Sequence, residues 1–177
     1  MIEAADTVRL FFALWPDSAL QGRLAAWAKQ AAGKARPMRR ENLHMTLAFL
    51  GATQTTLLPL LTESARTVRF VPFTLRLDRI AYWKHNRIIW CGADQDPPAL
   101  SALVGELRAC LDASAIAYDR KPFVSHVTLV RNAPGLQMAQ PWEPLVWEAR
   151  DFALVQSEKT DGRISYRPLE RFSASSA

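Results

Sequence analysis

Alternating apolar and polar positions divide the chain into two halves, each with a helix, a basic approach segment and a strand of the same short pattern. Val8 to Leu14 reads as a strand with Val8, Leu10, Phe12 and Leu14 on one side, ended by Pro16. Asp17 or Ser18 then caps a helix, whose apolar residues Leu20, Leu24, Trp27, Ala28 and Ala31 recur at helical spacing up to Gly33. Pro37 breaks that pattern, a basic segment follows, and His44 to Leu50 predicts a strand stopped by Gly51. Thr55 to Val68 predicts a second helix, with Pro59 tolerated near its first turn.

Farther along, Phe73, Leu75, Leu77 and Ile80 alternate with polar residues as in a strand, and Arg87 to Cys91 predicts another. Trp83 to Asn86 is the expected hairpin connection between them, with Asn86 in a turn position and His85 exposed. Ala99 to Ala113 carries a helical stripe of Leu100, Leu103, Val104, Leu107 and Leu111. Phe123 to Val130 predicts the second motif strand, and Pro134, Gly135, Pro141 and Pro144 mark an irregular connection. Trp147 to Val155 and Tyr166 to Phe172 close the chain as strands around the polar turn Thr160-Asp161-Gly162-Arg163. Antiparallel hairpins mixed with at least three helices predict an α+β fold.

The repeated pattern is His44-Met45-Thr46-Leu47 and His126-Val127-Thr128-Leu129. In an extended strand, residues two apart share a face, so each copy projects an imidazole beside a hydroxyl while its apolar pair anchors the core. One copy alone reads best as a packed strand histidine. Two copies from opposite halves, using two of the three histidines in the chain, point to a shared cleft. Beyond the motifs, the halves are too dissimilar to form a sequence repeat.

Composition narrows the class without changing that picture. The 177 residues suffice for one sizeable domain, and 49% hydrophobic with 22% charged residues is ordinary globular composition. Only Ser173 to Ala177 reads as a loose tail. A net charge of +5 suits a phosphate-bearing partner, and Arg36, Arg39 and Arg40 precede the first motif while Arg120 and Lys121 precede the second and Arg131 follows it. Cys91 and Cys110 lack any Cys-x-x-Cys spacing, which disfavours a zinc site and fits a reducing cytosol. The acidic start Met1 to Asp6 and the short apolar run from Leu10 to Trp15 predict neither export nor membrane insertion, and nothing demands more than a monomer.

Two imidazoles across a cleft can act as general acid and general base in one turnover, which is what metal-free phosphodiester cleavage requires. Thr46 and Thr128 are small donors suited to non-bridging phosphate oxygens, and nearby arginines add bidentate contacts. No carboxylate-histidine cluster of metal spacing accompanies either motif, and the phosphate-loop, dinucleotide and serine-elbow patterns are absent. No cofactor is expected.

With its paired motifs and the runs Arg9-Leu10-Phe11-Phe12-Ala13-Leu14, Glu41 to Gly51, Phe73-Thr74-Leu75, Phe123 to Arg131 and Tyr166, the chain resembles the 2H phosphoesterase superfamily. Within it the similarity is to the bacterial and archaeal RNA 2′,3′-cyclic phosphodiesterases, formerly described as 2′-5′ RNA ligases. Met45 replaces a usual leucine, and Arg40 and Ser125 stand where proline is frequent. The resemblance implies a single bilobal LigT-like domain, with two mainly antiparallel sheets and flanking helices around a pseudo-twofold cleft. It implies hydrolysis of a terminal RNA 2′,3′-cyclic phosphate to a 2′-phosphate, and ATP-independent 2′-5′ ligation. His44 would protonate the leaving 3′ oxygen, His126 would activate water, and Arg131 would contact phosphate. Strict alternation puts Arg131 on the face opposite His126, so a bulge or strand end must turn it inward. Phe12 would stack on the terminal base, its other reading being core packing, and Arg36 and Arg39 would track the RNA backbone. Two alternatives stay open: a non-catalytic RNA-binding module, and the same chemistry on a small nucleotide such as a cyclic phosphate of ADP-ribose.

Overall fold

A computed structural model of the chain describes residues 6–136 and 143–175. Its strands are β1 (Thr7–Leu14), β2 (Met45–Gln54), β3 (Phe73–Leu77), β4 (Arg79–Trp83), β5 (Ile88–Gly92), β6 (Val127–Val130), β7 (Leu145–Ala149), β8 (Asp151–Thr160) and β9 (Arg163–Ser173). The helices are α1 (Ser18–Ala32), α2 (Leu58–Arg66) and α3 (Pro98–Ala113). Asp17 is the N-cap of α1, its carboxylate accepting from the Leu20 amide at 2.8 Å. The segment expected as one helix from Thr55 begins as a 3-10 turn over Thr55–Leu57, and Pro59 then sits in the first turn of α2.

Two sheets are expected from the resemblance, and the six antiparallel pairings form three sheets: β2-β1-β8-β9, β4-β5-β6 and β3-β7. The smaller two are joined at Asp78, the single residue between β3 and β4. Its amide donates to the Gly92 carbonyl at 3.1 Å, so one bent strand serves both ladders. In the hairpin from β4 to β5 the positive backbone angle falls on Arg87 (φ 57°) rather than Asn86. The last hairpin turns through Asp161 (φ 51°) and Gly162 (φ 74°), the paired positive angles of a two-residue connection.

Central position in its sheet gives β1 two buried faces. Leu10, Phe12 and Leu14 enter the main core with α1, while Phe11 and Ala13 join Trp15, Ala153 and Val155 in a second, smaller cluster. Alternation along β1 therefore separates Phe12 from Phe11 completely.

Both motif strands carry a bulge immediately after the motif threonine. On β2 the pairing jumps from Thr46 to Ala48, and on β6 from Thr128 to Val130, leaving Leu47 and Leu129 as the extra residues. Each bulge shows as two consecutive buried residues, Leu47 with Ala48 and Leu129 with Val130. Gly51 does not stop β2, because its φ of 73° absorbs a second register shift and the strand runs on to Gln54.

The approach segments cross between the motif strands. Before the first motif, Pro37 bridges to Val130 and the Met38 amide donates to Leu129 at 2.8 Å. Before the second, the Asp119 amide donates to Phe49 of β2 at 2.8 Å. Each motif is thus tied by its lead-in to the far side of the other. The tail expected to be loose is held through Ser175: Ser173 ends β9, the Ala174 amide donates to Arg150, and the Ser175 amide donates to Phe70. Pro141, Ser176 and Ala177, like Met1 to Ala5, lie outside the described residues. Among those described, no helix is long and apolar enough to cross a membrane.

Candidate active site

Both histidines stand one residue ahead of their strands, where the chain enters from a crossing segment. The two rings are held in the same way. His44 Nδ1 lies 2.7 Å from the Asn42 carbonyl, and His126 Nδ1 lies 2.8 Å from the Val124 carbonyl. A carbonyl only accepts, so each Nδ1 carries the proton, leaving Nε2 as the nitrogen that exchanges protons. His44 Nε2 is 3.1 Å from Thr46 Oγ1, as strand alternation requires, while Thr128, partly exposed, pairs across the ladder with Trp90.

Aromatic side chains that the sequence pattern does not single out build the walls. His44 stacks on Trp15 at 5.5 Å and packs against Phe11 at 4.7 Å and the edge of Tyr166 at 4.9 Å. His126 meets Trp83 edge-on at 4.7 Å, and Trp83 in turn lies against Trp90. Phe12 requires a correction: it is fully buried against Phe152 and Phe172, beyond reach of any bound base. Its neighbour Phe11 occupies the histidine side of the sheet. Strand alternation already implies this, because Phe12 shares its face with Leu10 and Leu14.

Burial holds both imidazoles in their neutral forms. The His44 pKa is pushed down to about 4, chiefly by loss of solvent; the Asn42 carbonyl opposes this, while the Arg131 guanidinium and His126 add to it. His126 is lowered from the usual histidine value for the same first reason, opposed by the Val124 carbonyl and assisted by Arg131. The effect of Arg131 on both rings places its charge within electrostatic range of each. The bulge after Thr128 and the end of β6 at Val130 free Arg131 from strict alternation, as its inward placement requires.

A neutral buried histidine ties folding to pH. His44 falls from 6.5 to about 4, so the unfolded chain binds the extra proton first and stability drops as pH descends through that window, by ~3 kcal/mol in all. Below about 4 the contribution levels off. Urea melts of wild type and His44→Asn from pH 7.5 to 4 should converge toward low pH; parallel curves would show that His44 titrates normally.

Beside the imidazoles opens a cleft of ≈ 500 Å³. Arg36, Arg39, Arg131 and Arg163 line it with Ile164 and Tyr166. Neither histidine is in its wall, but Asn42 and Tyr166 border the cleft and also touch His44. Asn42, buried and given no role by the sequence pattern although it heads the first motif stretch, clamps β9: its amide donates to the Ile164 carbonyl at 2.9 Å and its oxygen accepts from the Tyr166 amide at 3.1 Å. Arg40, Arg120 and Lys121 do not join the cleft. Arg40 donates to Ser18, Arg120 pairs with Asp112, and Lys121 pairs with Asp119. Among the described residues, no three His, Cys, Asp or Glu side chains gather in a metal-holding group.

The family model described as LigT like Phosphoesterase matches residues 14–90. The RNA 2′,3′-cyclic phosphodiesterase of Escherichia coli (strain K12) is 33% identical over 173 residues, covering 95% of this chain and 97% of its own. Among solved structures, E. coli LigT in apo form matches with a TM-score of 0.83 at 32% identity, over 97% of this chain and 99% of that one. E. coli LigT complexed with 3′-AMP matches with a TM-score of 0.82 at 32% identity, over 97% and 100%. Similarity at this level over nearly the whole length of both chains, in sequence and in fold, shows that the chain belongs to the LigT-like phosphoesterase family.

Proposed function

We propose that the chain is an RNA 2′,3′-cyclic phosphodiesterase that leaves a terminal 2′-phosphate, with His44 and His126 as its proton carriers. The observation that carries this reading is the matched pair of imidazoles, each with Nδ1 locked on a carbonyl so that Nε2, which on His44 lies beside Thr46 Oγ1, is the nitrogen left for proton exchange. Binding alone has no use for two such groups. The E. coli relative bears the name of this activity, and LigT of the same organism has been crystallised with 3′-AMP.

In the proposed step, His126 Nε2 takes a proton from water as the water oxygen attacks phosphorus. The bond from phosphorus to the 3′ oxygen breaks, and His44 Nε2 delivers its proton to that oxygen. Thr46, Thr128 and Arg131 steady the non-bridging oxygens as their charge grows. By itself His44 carries little charge, and an anionic phosphate against Nε2 is what favours its protonated form. If the 5′-hydroxyl of a second RNA replaces water, the same bond changes yield a 2′-5′ linkage without ATP.

One observation favours a second reading with the roles exchanged. His44, pushed down to about 4, is poorly suited to hold a proton before substrate arrives. A short RNA ending in a 2′,3′-cyclic phosphate, incubated in EDTA, should yield only the 2′-phosphate product. Repeating the assay with sulfur in place of the 3′ oxygen separates the roles, because a thiolate leaves without protonation. His44→Ala should recover most of its lost rate on that substrate, and His126→Ala should not; the opposite pattern exchanges the assignments. A 3′-phosphate product, or intact RNA, would sink the proposal.

A further inference from the structure

Seventeen arginines are spread along the sequence, and most are occupied. Arg66, Arg76, Arg120, Arg167 and Arg171 pair with carboxylates, Arg40, Arg87 and Arg108 donate to backbone carbonyls, and Arg9 and Arg79 lie over aromatic rings. Six have no such partner among the described residues; Arg23, Arg69 and Arg150 lie elsewhere, whereas Arg36, Arg131 and Arg163 line one cleft. These three come from three separate places: the lead-in to the first motif, the end of β6 and the tip of the last hairpin. Guanidinium groups left unpaired beside one another repel, and a fold that brings them together from distant segments is best accounted for by an anion that binds between them.

Within the cleft the charges divide between two positions. Arg131 lowers the pKa of both imidazoles and, in the proposed step, contacts the reacting phosphate. Arg36 and Arg163 line the same cleft without such an influence on either ring, and Arg39 borders it while engaged with Glu41 and the Ile164 carbonyl. Among the described residues, no Asp or Glu lines the cleft; Asp161 lines an adjoining recess with Arg39 and Arg163. Ile164 and Tyr166 add an apolar strip between the basic groups. The hairpin that carries Arg163 is fixed to the His44 side by the Asn42 clamp on Ile164 and Tyr166, so the two anion positions have a set separation.

We infer that this cleft is a second phosphate subsite, in which Arg36 and Arg163 hold the phosphodiester on the 5′ side of the terminal nucleotide. It rests on the cyclic phosphodiesterase reading and narrows the substrate to a strand of at least two nucleotides. A mononucleoside cyclic phosphate fills only the Arg131 position, and a dinucleotide fills both.

The test compares a mononucleoside 2′,3′-cyclic phosphate with a dinucleotide ending in the same group, on wild type, Arg163→Gln, Arg163→Lys and Arg36→Gln. Wild type should show a kcat/KM at least ~10-fold higher on the dinucleotide, since a charged phosphate contact is gained. Arg163→Gln and Arg36→Gln should each reduce that ratio severalfold, mainly through KM, with Arg163→Lys retaining part of it. On the dinucleotide, the slope of log KM against log salt should also fall by about 1 in each glutamine variant. Equal kcat/KM on both substrates, or equal losses on both in the variants, would overturn the subsite. If neither substrate is hydrolysed, the reaction assignment fails instead. The subsite is then decided by binding: a 2′-O-methyl dinucleotide with a 3′-phosphate should still bind more weakly to Arg163→Gln than to wild type, and equal binding would reject it.

Discussion

Replacing His44 or His126 by alanine is expected to lower kcat/KM on a 2′,3′-cyclic phosphate RNA by at least ~100-fold, in EDTA and at neutral pH. Each ring presents one nitrogen to the reaction, because its other nitrogen is committed to the carbonyl two residues earlier. No other imidazole stands ready to substitute: His85, the third, lies exposed in the hairpin from β4 to β5. The double variant should be little worse than the poorer single one, since two groups that act in one concerted step fail together. His126→Ala is the cleaner of the pair, as His44 is packed among Trp15, Phe11 and Tyr166 and its loss also opens a space. Melting curves recorded alongside separate the two effects. Retention of more than a tenth of the activity in either folded variant would remove that histidine from the mechanism.

Phe12→Ala should unfold the protein far more readily without touching the chemistry. The ring is 0% exposed and packs against Phe152 at 6.0 Å and Phe172 at 6.3 Å, so truncation leaves a cavity that three elements cannot close. Substitutions of this kind cost ~3–5 kcal/mol, and a domain of this length should lose on the order of 10 °C in Tm. At 20 °C the folded fraction should keep its kcat/KM. Phe11→Ala provides the contrast: its ring supports His44 at 4.7 Å, so kcat should fall as well as stability. A Phe12 variant that melts like wild type but loses affinity for RNA would restore the base-stacking role that the buried position denies it.

Strand-level information was strong wherever one periodicity ran unbroken. The stripes of α1 and α3, the alternation of β3, the Thr160 to Arg163 turn and the paired motifs were all legible, because spacing alone decides which residues share a face. The pairing of His44 with Thr46 through 3.1 Å follows from that rule with no further information. Even the need for a bulge ahead of Arg131 could be stated from alternation, although its place after Thr128 could not.

What the chain does across long separations was decided only in three dimensions. Asn42 meets Ile164 and Tyr166 more than a hundred positions away, Met38 reaches Leu129, and Asp119 reaches Phe49. Hydrogen bonds of this sort depend on which segments the core brings side by side, and no local pattern encodes them. The same holds for the charges: Arg36, Arg120, Arg131 and Arg163 look alike in sequence, but Asp112 engages Arg120 while the other three remain free to share a cleft. The sequence by itself determined the stripes of α1 and α3, the α+β class and the two histidine-threonine pairs, since these rest on neighbours within a few residues, whereas the run read as one strand from Trp147 to Val155 divides between β7 and β8 and the strand read from Phe123 begins only at Val127. Only the tertiary structure decided that Trp15, Trp83 and Tyr166 wall the imidazoles, and which arginines stay unpaired. Burial and pairing are properties of the packed chain, set by groups that approach from distant parts of the sequence.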